Sequence, residues 1–183
     1  DKAAPAARKA GRIVVVEGYM DVIAIAQAGI SEAVAPLGTA LTEAQLAKLW
    51  SMVDTPILCF DGDAAGQRAA LRAAHRALPL LQPGKSLRFA SLPAGQDPDD
   101  LIGQSGVRTF EAVLERAIPL ADMLWQSEEK AVPLDTPEAR AGFKQRFMAL
   151  CATIGDGDVR AHYNRLFKDR HDALFFAPRP RAD

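Results

Sequence analysis

The chain is expected to be an α/β protein, a parallel-rich sheet of about four strands flanked by helices, followed by a small all-helical subdomain. Three observations carry this. Short apolar runs alternate with helix-patterned segments through residues 12–102. The runs are nearly continuous rather than alternating apolar and polar, as strands covered on both faces require. Beyond about Gly106 every patterned segment is helical and no β-branched run recurs.

The elements follow in order. Residues 1–10 read as a linker. Residues 12–16 are β-branched and closed by Glu17-Gly18, the first strand. Residues 19–28 are helical and stop at Gly29, the residue type that favours the position just past a helix. Residues 33–35 are a short second strand, followed by the loop Pro36-Leu37-Gly38. Thr42 with Gln45 three residues on is a capping box that opens a helix over 43–50. Residues 56–60 are a fully apolar third strand, and the Ala- and Arg-rich stretch 64–78 is a helix. Pro83-Gly84 turns the chain into a fourth strand over 86–91. The 93–100 loop leads into a short helix from about residue 98 to 102. Helices are then expected over 107–117, 119–130, 136–151 and 158–174, the third capped by Thr136 with Pro137 at its first position. The resulting organisation is a linker at 1–10, the α/β domain at 11–105, a helical bundle at 106–175 and a second linker at 176–183. The absence of an initial Met and the Pro-Arg-rich far end predict a piece of a longer protein.

With 49% hydrophobic and 25% charged residues, the 183-residue chain has ordinary globular composition. A formal net charge of -1 excludes a polybasic nucleic-acid binder. Any contact with nucleic acid must use a local basic stripe. No apolar run is long enough to cross a membrane and no signal-peptide pattern is present, so no membrane partner is expected. Cys59 and Cys151 belong to no Cys-x-x-Cys pair, which argues against a disulfide scaffold or a zinc site and for a reducing, cytoplasmic setting.

The chemistry lies in the acids. Glu17, Asp61, Asp63, Asp97 and Asp99 each follow a strand-like run, and ligands of such sheets bind outside the carboxyl ends of the strands. Clustered carboxylates repel unless a divalent cation neutralises them, so the pattern predicts Mg²⁺ or Mn²⁺ acting on phosphates. Gly62 between Asp61 and Asp63 would let the backbone turn both acids to one site. Asp97 before Pro98 also suits a helix cap. Arg68, Arg72 and Arg76 share one helix face beside His75; they are a solvated face or phosphate contacts, with Arg68 nearest the acids. Tyr19 is a base-stacking residue or a core aromatic at a helix start. One of Lys85 and Arg88 is expected to be merely exposed. Arg160, Arg165, Lys168 and Arg170 with Tyr163 form a basic amphipathic helix whose role stays open. His75, His162 and His171 have no metal-ligand spacing.

A strand ending in Glu-Gly and a later strand ending in Asp-x-Asp resemble the TOPRIM domain of bacterial primases, topoisomerases and some nucleases. The strings E-G-Y-M-D-V-I-A (17–24), L-G-T-A-L-T (37–42), F-D-G-D-A-A-G (60–66) and L-P-A-G-Q-D-P-D-D-L-I (92–102) closely resemble the catalytic core of the bacterial DnaG-type primase. The resemblance covers roughly residues 10–105 and continues more loosely into the helices. It implies a DNA-dependent RNA polymerase that makes short RNA primers from ribonucleoside triphosphates on a single-stranded DNA template. It implies Glu17, Asp61 and Asp63 as catalytic, metal-binding acids, with Asp97 and Asp99 as further metal acids and Asp21 as an additional acid. Arg68, Arg72 and Tyr19 are the accompanying candidates for nucleotide or template contact. The family binds the replicative helicase through a C-terminal domain and zinc through an N-terminal one, neither recognisable here, and works at the bacterial replication fork. A fragment of this kind is expected to fold and bind metal with little or no primer synthesis. The competing readings are another TOPRIM enzyme, a topoisomerase or nuclease, and a non-catalytic module that binds helicase or single-stranded DNA. A topoisomerase needs a nucleophilic Tyr, and Tyr19 and Tyr163 have no evident base beside them.

Overall fold

The computed structural model describes residues 3–36 and 40–176. Residues 37–39 of the L-G-T-A-L-T string and all but Phe176 of the expected C-terminal linker lie outside this set. The elements are α1 (Ala3–Ala10), β1 (Val14–Val15), α2 (Tyr19–Gln27), β2 (Ala33–Val34), α3 (Glu43–Trp50), β3 (Ile57–Phe60) and α4 (Ala64–Ala77). A 3-10 turn (Leu78–Leu80) follows, then β4 (Arg88–Ser91), α5 (Pro98–Ser105), α6 (Val107–Glu115), β5 (Ile118–Pro119), α7 (Leu120–Ala131), α8 (Pro137–Ala152) and α9 (Gly157–Phe176).

Local chemistry sets most boundaries. Thr42 Oγ1 accepts from Gln45 N at 3.2 Å while Thr42 N donates to Gln45 Oε1 at 2.8 Å, so the capping box opens α3 as expected. Thr136 Oγ1 accepts from Ala139 N at 3.1 Å and Pro137 begins α8. The expected linker at 1–10 is instead largely α1, which buries Ala7 completely against the main core. Its small side chains permit close packing, which composition alone does not announce.

The sheet has the order β2-β1-β3-β4-β5. The first four strands are parallel, and β5 pairs antiparallel with β4 through Arg88↔Pro119 and Phe89↔Ile118. Four strands were expected; the fifth comes from the segment read as wholly helical. Two residues carry no periodic signal, and Pro119 is tolerated because β5 is an edge. From β1 the chain passes through α2 to β2 on one side, then through α3 to β3 on the other. That reversal opens a crevice beyond the carboxyl ends of β1 and β3, the favoured ligand position of such a sheet.

Alternation along the strands divides the core. Val15, Leu58, Phe60 and Phe89 face a cluster with residues of α3, α4, α7, α8 and α9. Val14, Val16, Ile57 and Cys59 face the other cluster, with Ile25, Leu101, Phe110 and Leu114. The later helices dock through Leu120, Leu124 and an aromatic group in which Trp125 stacks on Phe147 at 4.9 Å and meets Phe143 edge-on at 5.1 Å. Ion pairs clip the remaining seams. Arg12 binds Glu32 and Glu111, each at 2.7 Å. Neither Lys85 nor Arg88 is merely exposed. Lys85 Nζ donates to Trp50 O at 2.8 Å and Arg88 to Ala117 O at 2.6 Å, because each finds carbonyls left open at an element end.

Candidate functional site

The crevice collects the acids. Glu17 follows Val16 directly, and its Oε1 accepts a hydrogen bond from the backbone N of Asp61 at 3.1 Å, tying the end of β1 to the end of β3. Asp61 has one oxygen, Oδ1, that is buried without a hydrogen-bond partner among the described residues. Burial pushes the Asp61 carboxyl up to about 6, and the charges of Glu17, Asp21, Asp97 and Asp63 add to the shift. Asp21, on the first turn of α2, is itself nearly buried. Burial raises it too, as do Asp97, Asp99 and Glu17, against the lowering effect of the 3.1 Å hydrogen bond from Gly18 N. The sequence-predicted acids therefore share one electrostatic site, with Asp99 acting on Asp21.

Helix starts position the rest. Asp63 caps α4, its Oδ1 accepting from Gly66 N at 2.7 Å, and Asp97 caps α5 by accepting from Asp100 N at 2.7 Å. Asp99 lies exposed in the first turn of α5. Gly62 plays a different part from the one expected. Its φ is not in the left-handed region. Instead, a Cβ there would lie 1.9 Å from Pro93 O. Gly62 N donates to Gln96 O and Gly95 N donates to Gly62 O, both at 3.0 Å, so the 93–96 loop is laced against the Asp61 end of β3.

These oxygen donors suit a hard divalent cation, and the orphaned Asp61 oxygen and the mutual repulsion both favour one. The acids line the crevice without closing into a ligand set: among the described residues no group of three or more Asp, Glu, His or Cys side chains converges closely enough to hold a metal. Mutual repulsion of like charges opposes such convergence. Cys59 beneath the site is no nucleophile, since burial first, then Asp21 and Asp61, push its thiol up to about 12.

The basic candidates separate. Arg68 lines a cleft of about 570 Å³ that also contains Asp61. Arg72 lines a smaller cavity of about 260 Å³ with Glu17 and Arg76. Arg76 Nη1 is held by Leu41 O at 2.6 Å. Tyr19 is 66% exposed, which removes the core-aromatic reading and leaves the ring open to a ligand. Sequence reasoning missed the far wall of the larger cleft, where α7 contributes Met123, Gln126, Ser127 and Lys130. No local signal marks them, because α7 reaches the cleft only by docking.

Residues 11–90 match the model of the Toprim domain family. The α/β part of the chain, with acids at its strand ends, is thus a Toprim domain. The DNA primase of Rickettsia typhi is 42% identical over 169 residues, 92% of this chain and 28% of the relative. The catalytic core of Escherichia coli primase superimposes with a TM-score of 0.81 at 37% identity, covering 93% of this chain and 57% of that one. A DnaG primase catalytic domain bound to single-stranded DNA gives 0.79 at 40% identity, covering 87% and 51%. Over most of its length the chain is homologous to DnaG-type primases. It spans 28% of the length of the curated relative and about half of each solved core.

Proposed function

We propose that the chain is the metal-binding part of the catalytic core of a DNA-dependent RNA polymerase that makes short RNA primers on single-stranded DNA from ribonucleoside triphosphates. One observation carries the reading: a buried Asp61 oxygen, without a partner among the described residues, amid the repulsion of neighbouring acids at the switch point of the sheet. Similarity to primases over most of the chain supports it, and Toprim catalytic cores are metal-dependent as a class.

Glu17, Asp61 and Asp63 would hold Mg²⁺ or Mn²⁺, with Asp97 and Asp99 binding directly or through water. A bound ion would acidify the attacking 3′-hydroxyl and neutralise charge on the triphosphate and the leaving pyrophosphate. The chain's own residues set the frame. The Asp61 N–H fixes Glu17, and capping leaves Asp63 one carboxylate oxygen beyond its bond to Gly66. Arg68, in the cleft with Asp61, and Arg72, in the cavity with Glu17, would take phosphates, and Tyr19 would stack on a base. Tyr163 is a poor nucleophile for a topoisomerase reaction, since burial pushes its phenol up to about 12. Among the described residues no helix is long and apolar enough to cross a membrane. Work at the replication fork with a helicase, reached through another part of the protein, completes the proposal.

Calorimetric titration of Mn²⁺ and Mg²⁺ into the chain tests it, beside an Asp61→Ala/Asp63→Ala variant. Saturable binding that disappears in the variant is expected. Binding that is absent, or unchanged in the variant, would overturn the assignment of these acids.

A further inference from the structure

The larger cleft beside Asp61 is not explained by metal binding. It runs from the carboxyl ends of β3 and β4 between α4 and α7, and its volume of about 570 Å³ lies within the range of ligand pockets, about 300–1,000 Å³. Half-buried Leu71 and Met123 supply apolar surface, Arg68 stands on the α4 side and Lys130 on the α7 side. Both cations are exposed, and neither makes an ion pair among the described residues. Most other cations of the α/β part, Arg12, Lys85 and Arg88 among them, are bound to acids or carbonyls. A chain with a net charge of -1 thus places two cations, unpaired among the described residues, across one cleft that ends at its acids.

We propose that this cleft holds single-stranded nucleic acid, its backbone phosphates between Arg68 and Lys130 and a base against Leu71 and Met123. The helical segment would then supply one wall of the strand path that leads to Asp61. Charge distribution selects the occupant. A triphosphate concentrates about four negative charges and needs several cations at one spot, whereas a phosphodiester strand carries one charge per nucleotide. Two cations on separate walls, with an apolar floor between them, match the strand. Base contact with this apolar surface supplies affinity that does not depend on base sequence. The inference rests on the polymerase reading above, and the test keeps the two apart.

Amide NMR spectra of the ¹⁵N-labelled chain, titrated with an eight-residue oligothymidylate in low salt and Mg²⁺, are the measurement. Shifts are expected at Arg68, Ser127 and Lys130. An Arg68→Gln/Lys130→Gln variant should bind at least three-fold more weakly, and its slope of log affinity against log salt should be shallower by about 1.4, the value for two lost phosphate contacts to a single strand. Because both side chains are exposed, the variant's spectrum reports directly that the fold is kept. Shifts confined to other surfaces, no shifts at millimolar oligonucleotide, or unchanged affinity in the variant would overturn the proposal. Stronger shifts of the same amides by thymidine triphosphate alone would replace the strand with a mononucleotide. Mn²⁺ titration of the same sample separates the readings. Metal binding with a silent cleft sinks only this inference, and absent metal binding sinks the assignment of the acids whatever the cleft does.

Discussion

Asp61 holds the least comfortable carboxylate in the described structure. Burial and four neighbouring acids raise it to about 6, above the ordinary value of 3.8. The folded state therefore keeps a proton that the unfolded chain releases between about pH 4 and pH 6. Over that window the metal-free protein loses stability as pH rises, and above it the full penalty persists until a cation binds. Asp61→Asn should stabilise the metal-free chain at pH 7 by about 1–2 kcal/mol, a figure reduced for solvent screening of a partly exposed group, and have little effect at pH 4. Thermal melts in chelator at both pH values check this; an equal or lower melting temperature at pH 7 would contradict it. Gly62 is constrained by packing. Adding a Cβ 1.9 Å from Pro93 O forces the 93–96 loop away. Gly62→Ala should cost about 1–3 kcal/mol and weaken Mn²⁺ binding. Gly103, on α5 with nothing near its virtual Cβ, is the control, and Ala there should stabilise by up to about 1 kcal/mol in urea melts.

α4 shows how one helix serves both the fold and the site. Its first residues follow Asp63, which caps the helix through Gly66 N, and Gly66 itself sits so close to Asp61 O that a Cβ would meet it at 2.2 Å. Capping and charge can be separated. Asp63→Asn keeps an acceptor at the cap but removes the charge, so stability should change by less than about 0.5 kcal/mol while Mn²⁺ affinity falls. Asp63→Ala should lose the affinity and about 1 kcal/mol besides. Chemical denaturation paired with calorimetry distinguishes the two, and equal stability losses would show that Asp63 caps nothing. α5 repeats the device with Asp97 as cap and Asp99 in its first turn, where carboxylates are favoured by the helix dipole. Two helix N-termini thus hold acids beside the carboxyl ends of the strands.

Across the molecule, the helices after residue 106 do not build a separate core. Phe110 and Leu114 of α6 complete one sheet face, and Leu120, Leu124 and Trp125 of α7 join the cluster on the other. The Arg12 clip to Glu111 ties α6 to the start of β1. One cooperative transition should therefore govern both parts. Trp125→Ala removes the ring between Phe143, Phe147 and Phe167 and should cost about 3 kcal/mol. Helical circular dichroism and Mn²⁺ binding should be lost together in the variant, as in the parent chain. Metal binding that outlives the helical signal would show that the α/β part stands alone.

Much of this architecture is written in short stretches of chain. β1 to β4 in their order, the caps at Thr42, Asp97 and Thr136, and acids at strand ends are readable because each depends on residues only a few positions apart. The DnaG-type strings add identity through the same local spacing. What could not be read depends on partners distant in the chain. α1 exists against a core made elsewhere, and β5 is defined by its pairing to β4 rather than by any pattern in Ile118-Pro119. The purpose of Gly62 lies in a loop some thirty residues on, and the cleft between Arg68 and Lys130 forms only when α7 docks on the sheet. Hydrogen-bond caps and hydrophobic periodicity are nearest-neighbour physics and survive in the sequence. Clefts, shared burial and summed repulsion are properties of surfaces brought together, and they come into being only with the packed chain.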